Sequence, residues 1–317
     1  MKKIAVLDDY QRVAQVLADW SDLEREHEVT VFHDHLADPD AVARRLEPFH
    51  VICVMRERTP LPAELIARLP NLELIVTTGG RNASIDVAAA RERGITVCGT
   101  GIPGHATAEL TVGLMIALAR DLIGEVDSVR AGGWQRGLGR DLRGKTLGVI
   151  GLGRLGAQVA AVARTLGMEV IAWSQNLTAE KAEAAGATLV GKDELFSRAD
   201  YITIHLRLSE RTRGLVDAAA IGRMKRDAFL INTSRGPIVD NGALLAALRD
   251  GRIGGAALDV YDIEPLPAED PRRGLPNLLA TPHIGYVTRE TYRVFYPQTV
   301  EAIEAWLAGK PVRVIEP

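Results

Sequence analysis

Short apolar runs rich in β-branched residues alternate with helix-forming stretches along almost the whole chain. The first array has such runs at residues 4–7, 29–32, 51–55, 72–77 and 95–98, and a second array extends from residue 147 to residue 281. Apolar strands that alternate with helices form βαβ units, which build parallel sheets covered by helices on both faces. The alternation therefore predicts an α/β fold.

The length of the chain predicts two domains. It has 317 residues, whereas a single core usually stops growing at roughly 250–300 residues. A predicted helix at residues 106–120 and the glycine-rich stretch after it would connect the two arrays. A last predicted helix, residues 289–307, follows the second array and is free to return to the first. We therefore expect one domain from residues 1–99 plus 287–317 and another from residues 100–286, with a cleft between them.

Charge and cysteine content exclude several classes of protein. Lys and Arg number 38 against 41 Asp and Glu, a net charge of -3, so no positive field is available for nucleic acid or an acidic membrane surface. No apolar run approaches the roughly 18 residues of a membrane span, and Asp8 and Asp9 end the first apolar run too early for a signal peptide. Cys53 and Cys98 form no CxxC pair, which favours a reducing, cytoplasmic location.

A glycine motif begins the second array. Gly151, Gly153 and Gly156 form a GxGxxG that follows a predicted strand and precedes a predicted helix. In this context the glycines permit a tight turn, a close approach of the backbone to a pyrophosphate and close packing of helix on strand. We therefore predict a Rossmann-like, dinucleotide-binding second domain and a flavodoxin-like first domain, both built on parallel sheets.

The acid that usually completes this motif is missing. Where an Asp or Glu would bind the adenosine ribose, the chain has Ser174 and Gln175 after Trp173. Without that acid a 2′-phosphate is not repelled, and Arg207, which lies two residues beyond His205, could supply a positive charge. The cofactor is therefore NAD or NADP, with a slight lean to NADP.

Polar clusters follow three strands of the second array, at the sheet edge where open α/β folds bind ligands. Arg235 follows the apolar run at residues 229–231, and a guanidinium suits bidentate binding of a carboxylate. His283 lies between Pro282 and Ile284, and Glu264 provides a carboxylate. A histidine with a carboxylate partner can act as a general acid or base near neutral pH.

Taken together, these motifs resemble the D-isomer-specific 2-hydroxyacid dehydrogenases, a family that includes glyoxylate/hydroxypyruvate reductases and phosphoglycerate dehydrogenases. The resemblance extends over nearly the whole chain. It is carried by residues 77–86, 108–110, 142–156, 232–236, 259–265 and 282–285.

The resemblance implies a role for each matching residue. Arg235 would bind the substrate carboxylate and polarise the keto oxygen, His283 would donate a proton, and Glu264 would orient the imidazole. Further assignments follow in the same way: Gly79 and Gly80 for substrate; Arg154 and Leu155 for the pyrophosphate; and Thr233, Asp259 and Gly285 for the nicotinamide end. By their positions after strands, Ser174, Gln175, His205 and Arg207 are assigned to the adenosine end. Arg56 follows the third strand and either contacts the substrate or has a plain surface role. The resemblance further implies a homodimer, with residues 106–120 and the Trp134 loop at its interface, and the use of no metal.

Two alternatives stay open on the sequence. Relatives of this family include nucleotide-sensing corepressors, which keep the fold and the Arg, Glu and His residues. A phosphite-type dehydrogenase on the same scaffold would need the same Arg and His. His33 and His35 suggest a metal pair, but a third ligand is absent nearby in the sequence, so we interpret them as a solvated strand end.

Overall fold

The computed structural model describes residues 1–317, which divide into two compact units. One unit comprises residues 1–103 and 288–317, and the other comprises residues 104–287. None of the helices combines the length and the apolar character that a membrane span requires.

The first unit is built on a five-stranded parallel sheet with the strand order β2-β1-β3-β4-β5. All side chains of β3 and β4, two of the three inner strands, are buried, as expected for a parallel sheet covered on both faces. Its elements along residues 1–103 are β1 (Lys3–Val6), α1 (Ala14–Leu17), α2 (Ser21–Glu26), β2 (Glu28–Val31), α3 (Pro39–Leu46), β3 (Val51–Val54), α4 (Ala63–Ala67), β4 (Leu74–Thr77), α5 (Val87–Glu92) and β5 (Thr96–Gly99).

The C-terminal helix, Arg289–Leu307, belongs to this first unit. It contacts β4 and β5 and buries Phe295 and Tyr296 almost completely. The chain thus returns to its first sheet after the second array, and the helix has the limits predicted from the sequence.

Two short helices follow β1 in the first unit. Helix α1 ends at Leu17, and α2 begins at Ser21. The chain is extended at Ala18, and this turn buries Trp20, whose indole N–H donates to the carbonyl of Ala14 at 3.0 Å. The indole ring is therefore buried at the break between α1 and α2.

The second unit is built on a seven-stranded parallel sheet with the order β12-β11-β10-β9-β6-β7-β8. Alternate strand residues enter two separate cores, with Leu230 on one face and Ile231 on the other. Its elements are α6 (Ala106–Arg120), α7 (Leu122–Arg130), β6 (Thr146–Ile150), α8 (Arg154–Thr165), β7 (Glu169–Trp173), α9 (Ala179–Ala184), β8 (Thr188–Leu189), α10 (Lys192–Arg198), β9 (Tyr201–Ile204), α11 (Ala218–Arg223), β10 (Phe229–Asn232), the 3₁₀ turn Gly236–Ile238, α12 (Asn241–Arg249), β11 (Gly255–Leu258), the 3₁₀ turn Pro271–Gly274 and β12 (Leu278–Ala280); the C-terminal helix is α13.

The expected connector after α6 contains a helix that the sequence interpretation missed. Helix α7 begins directly after Asp121, which adopts the left-handed conformation with φ 46°. None of its residues is buried. The apolar residues Leu122, Val126 and Val129 recur at helical spacing but are all exposed, so α7 packs no apolar face into the core of its unit.

Candidate active site

The glycine turn lies between β6 and α8. Gly151 has φ +96°, and a Cβ on it would lie 2.8 Å from the carbonyl oxygen of His205. A Cβ on Gly156 would lie 2.2 Å from the carbonyl oxygen of Gly151, so helix and strand pack too closely for any side chain at either position. No atom lies within 4 Å of where a Cβ on Gly153 would stand. The turn thus fits a dinucleotide, with open space where the pyrophosphate would approach the backbone.

Arg154 and Leu155 lie in the first turn of the twelve-residue helix α8. N–H groups in the first turn of a helix have no acceptor within the helix, and the helix dipole favours an anion there. The Gln158 side chain donates to the carbonyl of Gly104 at 2.9 Å, which fixes the start of this unit against α8. Both residues are therefore placed to offer backbone donors to a pyrophosphate.

The loops predicted to form the adenosine end lie on either side of this turn, because β7 and β9 both pair with β6. After β7, Ser174 is half-buried and Gln175 is exposed, and the next carboxylate is Glu180 within α9. After β9, Arg207 is exposed. The positions predicted from the sequence thus lie on the same sheet edge, and no carboxylate occurs in the turn after β7.

His205 is the most unusual group at this end. Its Nε2 lies 2.9 Å from Thr203 Oγ1, whereas Nδ1 is buried and has no hydrogen-bond partner in the protein. Burial lowers the pKa of the ring to about 4, because the charged form is disfavoured away from water. His205 is therefore neutral at physiological pH, and a buried, orphaned ring nitrogen at this position is suited to a hydrogen bond with a ligand.

Arg235 is positioned by a bonded turn after β10. The Asn232 side chain accepts from the Ser234 N–H at 3.0 Å and donates to the Arg235 carbonyl at 2.9 Å, while Ser234 Oγ donates to the carbonyl of Ile204 at 2.6 Å. Thr233 Oγ1 lies 2.9 Å from Thr111 Oγ1 of α6. The arginine thus projects from a backbone that its own neighbours hold in place.

His283 and Glu264 form a direct pair. His283 Nδ1 lies 2.5 Å from Glu264 Oε2, and Glu264 Oε1 accepts the Tyr261 N–H at 2.8 Å. A carboxylate can only accept, so Nδ1 carries the proton in this contact and Nε2 is the nitrogen that can reach a substrate. The imidazole also packs edge-on against the ring of Tyr286. Its orientation is therefore set before any substrate arrives.

Asp259 has a role that sequence reasoning missed. Its side chain is fully buried and accepts three hydrogen bonds, from Thr281 Oγ1 at 2.6 Å and from the N–H groups of Ile284 and Gly285 at 2.8 Å each. Burial raises its pKa. These donors flank His283, which adopts a left-handed backbone conformation with φ 51°, uncommon for a residue other than glycine. Asp259 thus holds the turn that presents the imidazole.

The loops after β10, β11 and β12 form one assembly. A Cβ on Gly236 would lie 2.3 Å from the Tyr261 main chain, so the Arg235 loop packs directly on the loop that leads to Glu264. The Tyr261 hydroxyl donates to the carbonyls of Leu258 and Thr281, both at 3.0 Å. Because the three strands are neighbours in the sheet, the structure brings Arg235, Glu264 and His283 to the same sheet edge.

Gly79, Gly80 and Arg56 lie at the carboxyl edge of the other sheet, after β4 and β3. The N–H of Gly79 donates to Thr100 Oγ1 at 2.7 Å, so it is already engaged within its own unit. Of the two glycines proposed to bind a carboxylate through backbone N–H groups, Gly80 is therefore the better candidate. Arg56 donates through Nη1 to the Thr78 carbonyl at 3.0 Å.

His33 and His35 bond to residues that follow β1. His33 Nδ1 lies 3.0 Å from the Asp9 carbonyl oxygen, and His35 Nδ1 lies 3.0 Å from Asp8 Oδ1. No group of three His, Cys, Asp or Glu side chains in the chain is arranged to hold a metal ion. Both rings are thus engaged in hydrogen bonds that tie the ends of two neighbouring strands together.

Comparisons with known proteins agree with this geometry. Residues 112–285 match the family model described as "D-isomer specific 2-hydroxyacid dehydrogenase, NAD binding domain". The chain is 36% identical over 296 residues to a glycerate dehydrogenase from Methylorubrum extorquens, which covers 88% of this chain and 89% of that protein. It is 35% identical over 287 residues to a hydroxypyruvate reductase from Thermotoga maritima, with 89% and 92% covered.

A solved structure is similar over its whole length. The crystal structure of a phosphoglycerate oxidoreductase from Vibrio cholerae matches with a TM-score of 0.92 and 38% sequence identity, covering 98% of this chain and 100% of that one. The chain therefore belongs to the D-isomer-specific 2-hydroxyacid dehydrogenases, and it is an NAD(P)-dependent oxidoreductase that interconverts a 2-keto acid and a 2-hydroxy acid.

Proposed function

We propose that the protein reduces a small 2-keto acid of the glyoxylate or hydroxypyruvate type to the D-2-hydroxy acid. The observation that carries this proposal is the 2.5 Å contact between His283 and Glu264 on the sheet edge that also carries Arg235. The relatives named as glycerate dehydrogenase and hydroxypyruvate reductase support the substrate class. In this proposal the second unit binds the nucleotide, and the first unit contributes substrate contacts through Gly80, Gly79 and Arg56.

His283, Glu264 and Arg235 each have a separate role in this proposal. A bound reduced dinucleotide supplies the hydride. Arg235 binds the substrate carboxylate and stabilises the negative charge that develops on the keto oxygen. His283 donates the proton on Nε2 to that oxygen, and Glu264 holds the ring through Nδ1 so that Nε2 faces it. The reaction thus ends with a neutral hydroxyl on the substrate carbon.

The nicotinamide end is assigned to Thr233, Asp259 and Gly285. Asp259 Oδ1 accepts two of the three hydrogen bonds and Oδ2 accepts one, so Oδ2 retains a lone pair that can accept from a carboxamide. Asp259 would therefore contact the cofactor and brace the His283 turn at the same time.

The test of this proposal is a panel of 2-keto acids assayed with NADH and with NADPH. We expect turnover of glyoxylate or hydroxypyruvate, followed by the loss of reduced-cofactor absorbance, and a D-configured product by chiral chromatography. Lack of turnover with every 2-keto acid, from a protein that binds the reduced cofactor, would refute the proposal. It would favour a nucleotide-sensing binding protein instead.

For the cofactor we propose a preference for NADP over NAD. The turn after β7 carries Ser174 and Gln175, where an acid would repel a 2′-phosphate. The exposed Arg207 lies in the loop after β9, on the same sheet edge. Arg207 can pair with a phosphate as a planar, permanent cation. Dissociation constants for NADPH and NADH test the preference, and tighter binding of NADH would refute it.

We further propose that the protein is a homodimer that works in the cytoplasm. Helix α7 leaves Ile123 52% and Val129 58% exposed, and Trp134 nearby is 75% exposed; contiguous apolar surface of this kind is typical of interfaces. A second copy would therefore cover α7 and the Trp134 loop, whereas most of α6 packs inside its own unit. The cytoplasmic location is supported by Cys53 and Cys98, which are free, buried thiols.

Light scattering after size-exclusion chromatography tests the dimer. Ile123→Glu and Val129→Glu place charges on α7, and we expect both to shift the dimer to monomer. Val162→Glu, on an exposed part of α8, serves as the control. A wild-type protein that is monomeric at micromolar concentration would contradict the proposed interface.

A further inference from the structure

The loop after β4, residues 78–84, presents two backbone donors that the protein leaves free. Thr100 occupies both polar groups of Gly79, because its Oγ1 accepts the Gly79 N–H at 2.7 Å and its own N–H donates to the Gly79 carbonyl at 3.2 Å. The N–H groups of Gly80 and Arg81 have no acceptor in the protein, and both residues are exposed. Successive N–H groups of this kind bind anions, and open parallel sheets bind their ligands at this edge. What holds this loop therefore determines where a substrate carboxylate can bind.

Asn82 follows these two donors, and its buried side chain makes three hydrogen bonds. The residue is 7% exposed. Its Nδ2 donates to the Arg56 carbonyl at 2.6 Å and to Thr77 Oγ1 at 3.0 Å, and its Oδ1 accepts the Ser84 N–H at 2.9 Å. A carbonyl can only accept and a backbone N–H can only donate, so these partners fix which way the amide points. One side chain thus joins the end of β4, the loop that follows it and the turn after β3.

The turn after β3 is held in an uncommon conformation. Arg56 has φ 52°, and residues other than glycine keep this conformation only where the surrounding structure enforces it. The Arg56 N–H donates to Thr78 Oγ1 at 2.9 Å, and its Nη1 donates to the Thr78 carbonyl at 3.0 Å. Its Nη2 lies 3.5 Å from Glu57 Oε1, and a Cβ on Gly79 would lie 1.9 Å from Nη1. The Arg56 turn and the loop after β4 therefore pack directly against each other, and Asn82 bonds to both.

We propose that Asn82 is a positioning residue for the substrate carboxylate. Its amide fixes the loop after β4 against the Arg56 turn, and this holds the N–H groups of Gly80 and Arg81 where they donate to the carboxylate. The N–H of Arg81 takes the place of the Gly79 N–H, which is already engaged within the protein. The inference rests on the proposed reductase function and goes beyond it, since it assigns a role in substrate binding to a buried side chain whose three hydrogen bonds all stay within the protein.

A positioning role has a defined kinetic consequence. Every 2-keto acid carries the same carboxylate, so misplaced donors should weaken the binding of glyoxylate and of hydroxypyruvate by similar factors. The transfer of the hydride and the proton is assigned to the second unit, whereas Asn82 belongs to the first. The loss of the Asn82 amide should therefore raise KM for both acids and change kcat and cofactor binding much less.

The experiment measures KM, kcat and the dissociation constant of the reduced cofactor in the wild type and in Asn82→Asp. The aspartate is nearly isosteric and keeps the acceptor for Ser84, but its carboxylate cannot donate to Arg56 or Thr77. We expect KM for both acids to rise by about ten- to a hundredfold, as the loss of buried hydrogen bonds predicts. We expect kcat to stay within about threefold of the wild type, and the cofactor dissociation constant within about twofold.

Two further variants separate a positioning role from a purely structural one. Asn71→Asp is the matched control, because Asn71 is exposed in the same unit and also donates to a backbone carbonyl, that of Glu47 at 2.9 Å; it should leave KM unchanged. Thr77→Val keeps the shape of a buried side chain and removes the acceptor of only one Asn82 donor, so KM should rise by a smaller factor of about two to ten. Thr77→Val also decides the test if Asn82→Asp does not fold.

The outcomes are distinct. If Asn82→Asp lowers the melting temperature but leaves KM for both acids at the wild-type value, the side chain has only a structural role and the inference is overturned. An unchanged KM in Thr77→Val has the same meaning where Asn82→Asp does not fold. An equal rise of KM and of the cofactor dissociation constant would overturn it as well, because the effect would not be confined to the substrate loop. A wild-type protein that binds the cofactor but turns over no 2-keto acid would instead refute the proposed function, and this inference with it.

Discussion

The two ends of the nucleotide-binding sheet edge are built differently. At the end that carries Arg235 and His283, the polar side chains bond to one another and to the backbone of neighbouring loops, as with Asp259 and its three donors. At the adenosine end, Gln175 and Arg207 are exposed and His205 Nδ1 has no partner in the protein.

This contrast separates chemistry from cofactor choice. The groups proposed to react are held by hydrogen bonds within their own loops, an arrangement that suits electrostatic stabilisation of a transition state. Of the groups proposed to select the cofactor, Gln175 and Arg207 are exposed. Substitutions at the end that carries Arg235 and His283 should therefore change turnover. Substitutions at the proposed adenosine end should change cofactor binding.

The largest effect is expected for His283→Ala. Removing the proton donor should lower kcat by roughly 10³-fold, within the range for general acid catalysis, while the dissociation constant of the reduced cofactor changes little. Stopped-flow turnover and fluorescence titration of the reduced cofactor measure the two quantities. A variant with wild-type kcat would show that another group donates the proton.

A smaller but still large effect is expected for Asp259→Asn. An amide in this position can accept on one side only, so its NH₂ group would face a backbone N–H of the His283 turn, and a buried donor without an acceptor costs about 1–3 kcal/mol. We expect kcat to fall about a hundredfold, with the cofactor dissociation constant rising less.

Asp250→Asn is the matched control for this substitution, because Asp250 is exposed after α12. A structural role alone would lower the melting temperature without changing the pH profile of kcat. A displaced imidazole would change that profile. Wild-type kcat and an unchanged profile in Asp259→Asn would refute the bracing role.

The sequence predicted the catalytic end better than its supports. The strand positions and the glycine turn follow from local patterns, whereas Arg235, Glu264 and His283 were assigned through the resemblance to the family; the structure brings all three to one sheet edge. The bonds from Asp259 to the turn at residues 281–285 could not be predicted, because they join residues more than twenty positions apart. Helix α7 was missed although Leu122, Val126 and Val129 recur at helical spacing, because the segment after α6 was interpreted as a connector; none of the side chains of α7 is buried.

At the adenosine end, Arg207→Ala should change cofactor preference and little else. If Arg207 pairs with a 2′-phosphate, its loss should raise the dissociation constant of NADPH by about tenfold, which is typical of one charge-assisted contact. The dissociation constant of NADH should stay nearly unchanged. Arg226→Ala removes an exposed arginine elsewhere in the same unit and controls for net charge. If binding of both cofactors weakened equally, Arg207 would not contact the 2′-phosphate. If neither dissociation constant changed, Arg207 would not be part of the cofactor site.

The smallest effect at neutral pH is expected for His205, where the measurable quantity is stability in acid. Burial lowers the pKa of its ring from 6.5 to about 4, so between these values the unfolded chain binds a proton that the folded protein does not. The neutral ring therefore contributes fully to the free energy of unfolding above pH 6.5, and this contribution is lost as the pH falls toward 4. At pH 5 the loss is about 2 kcal/mol. His205→Gln keeps a donor for Thr203 and removes the titration. The melting temperature of the wild type should thus fall several degrees more than that of the variant between pH 7 and pH 5, measured by calorimetry without cofactor. Parallel curves for the two proteins would mean that water reaches the ring, and the orphaned nitrogen would then belong to an open, solvated adenosine end.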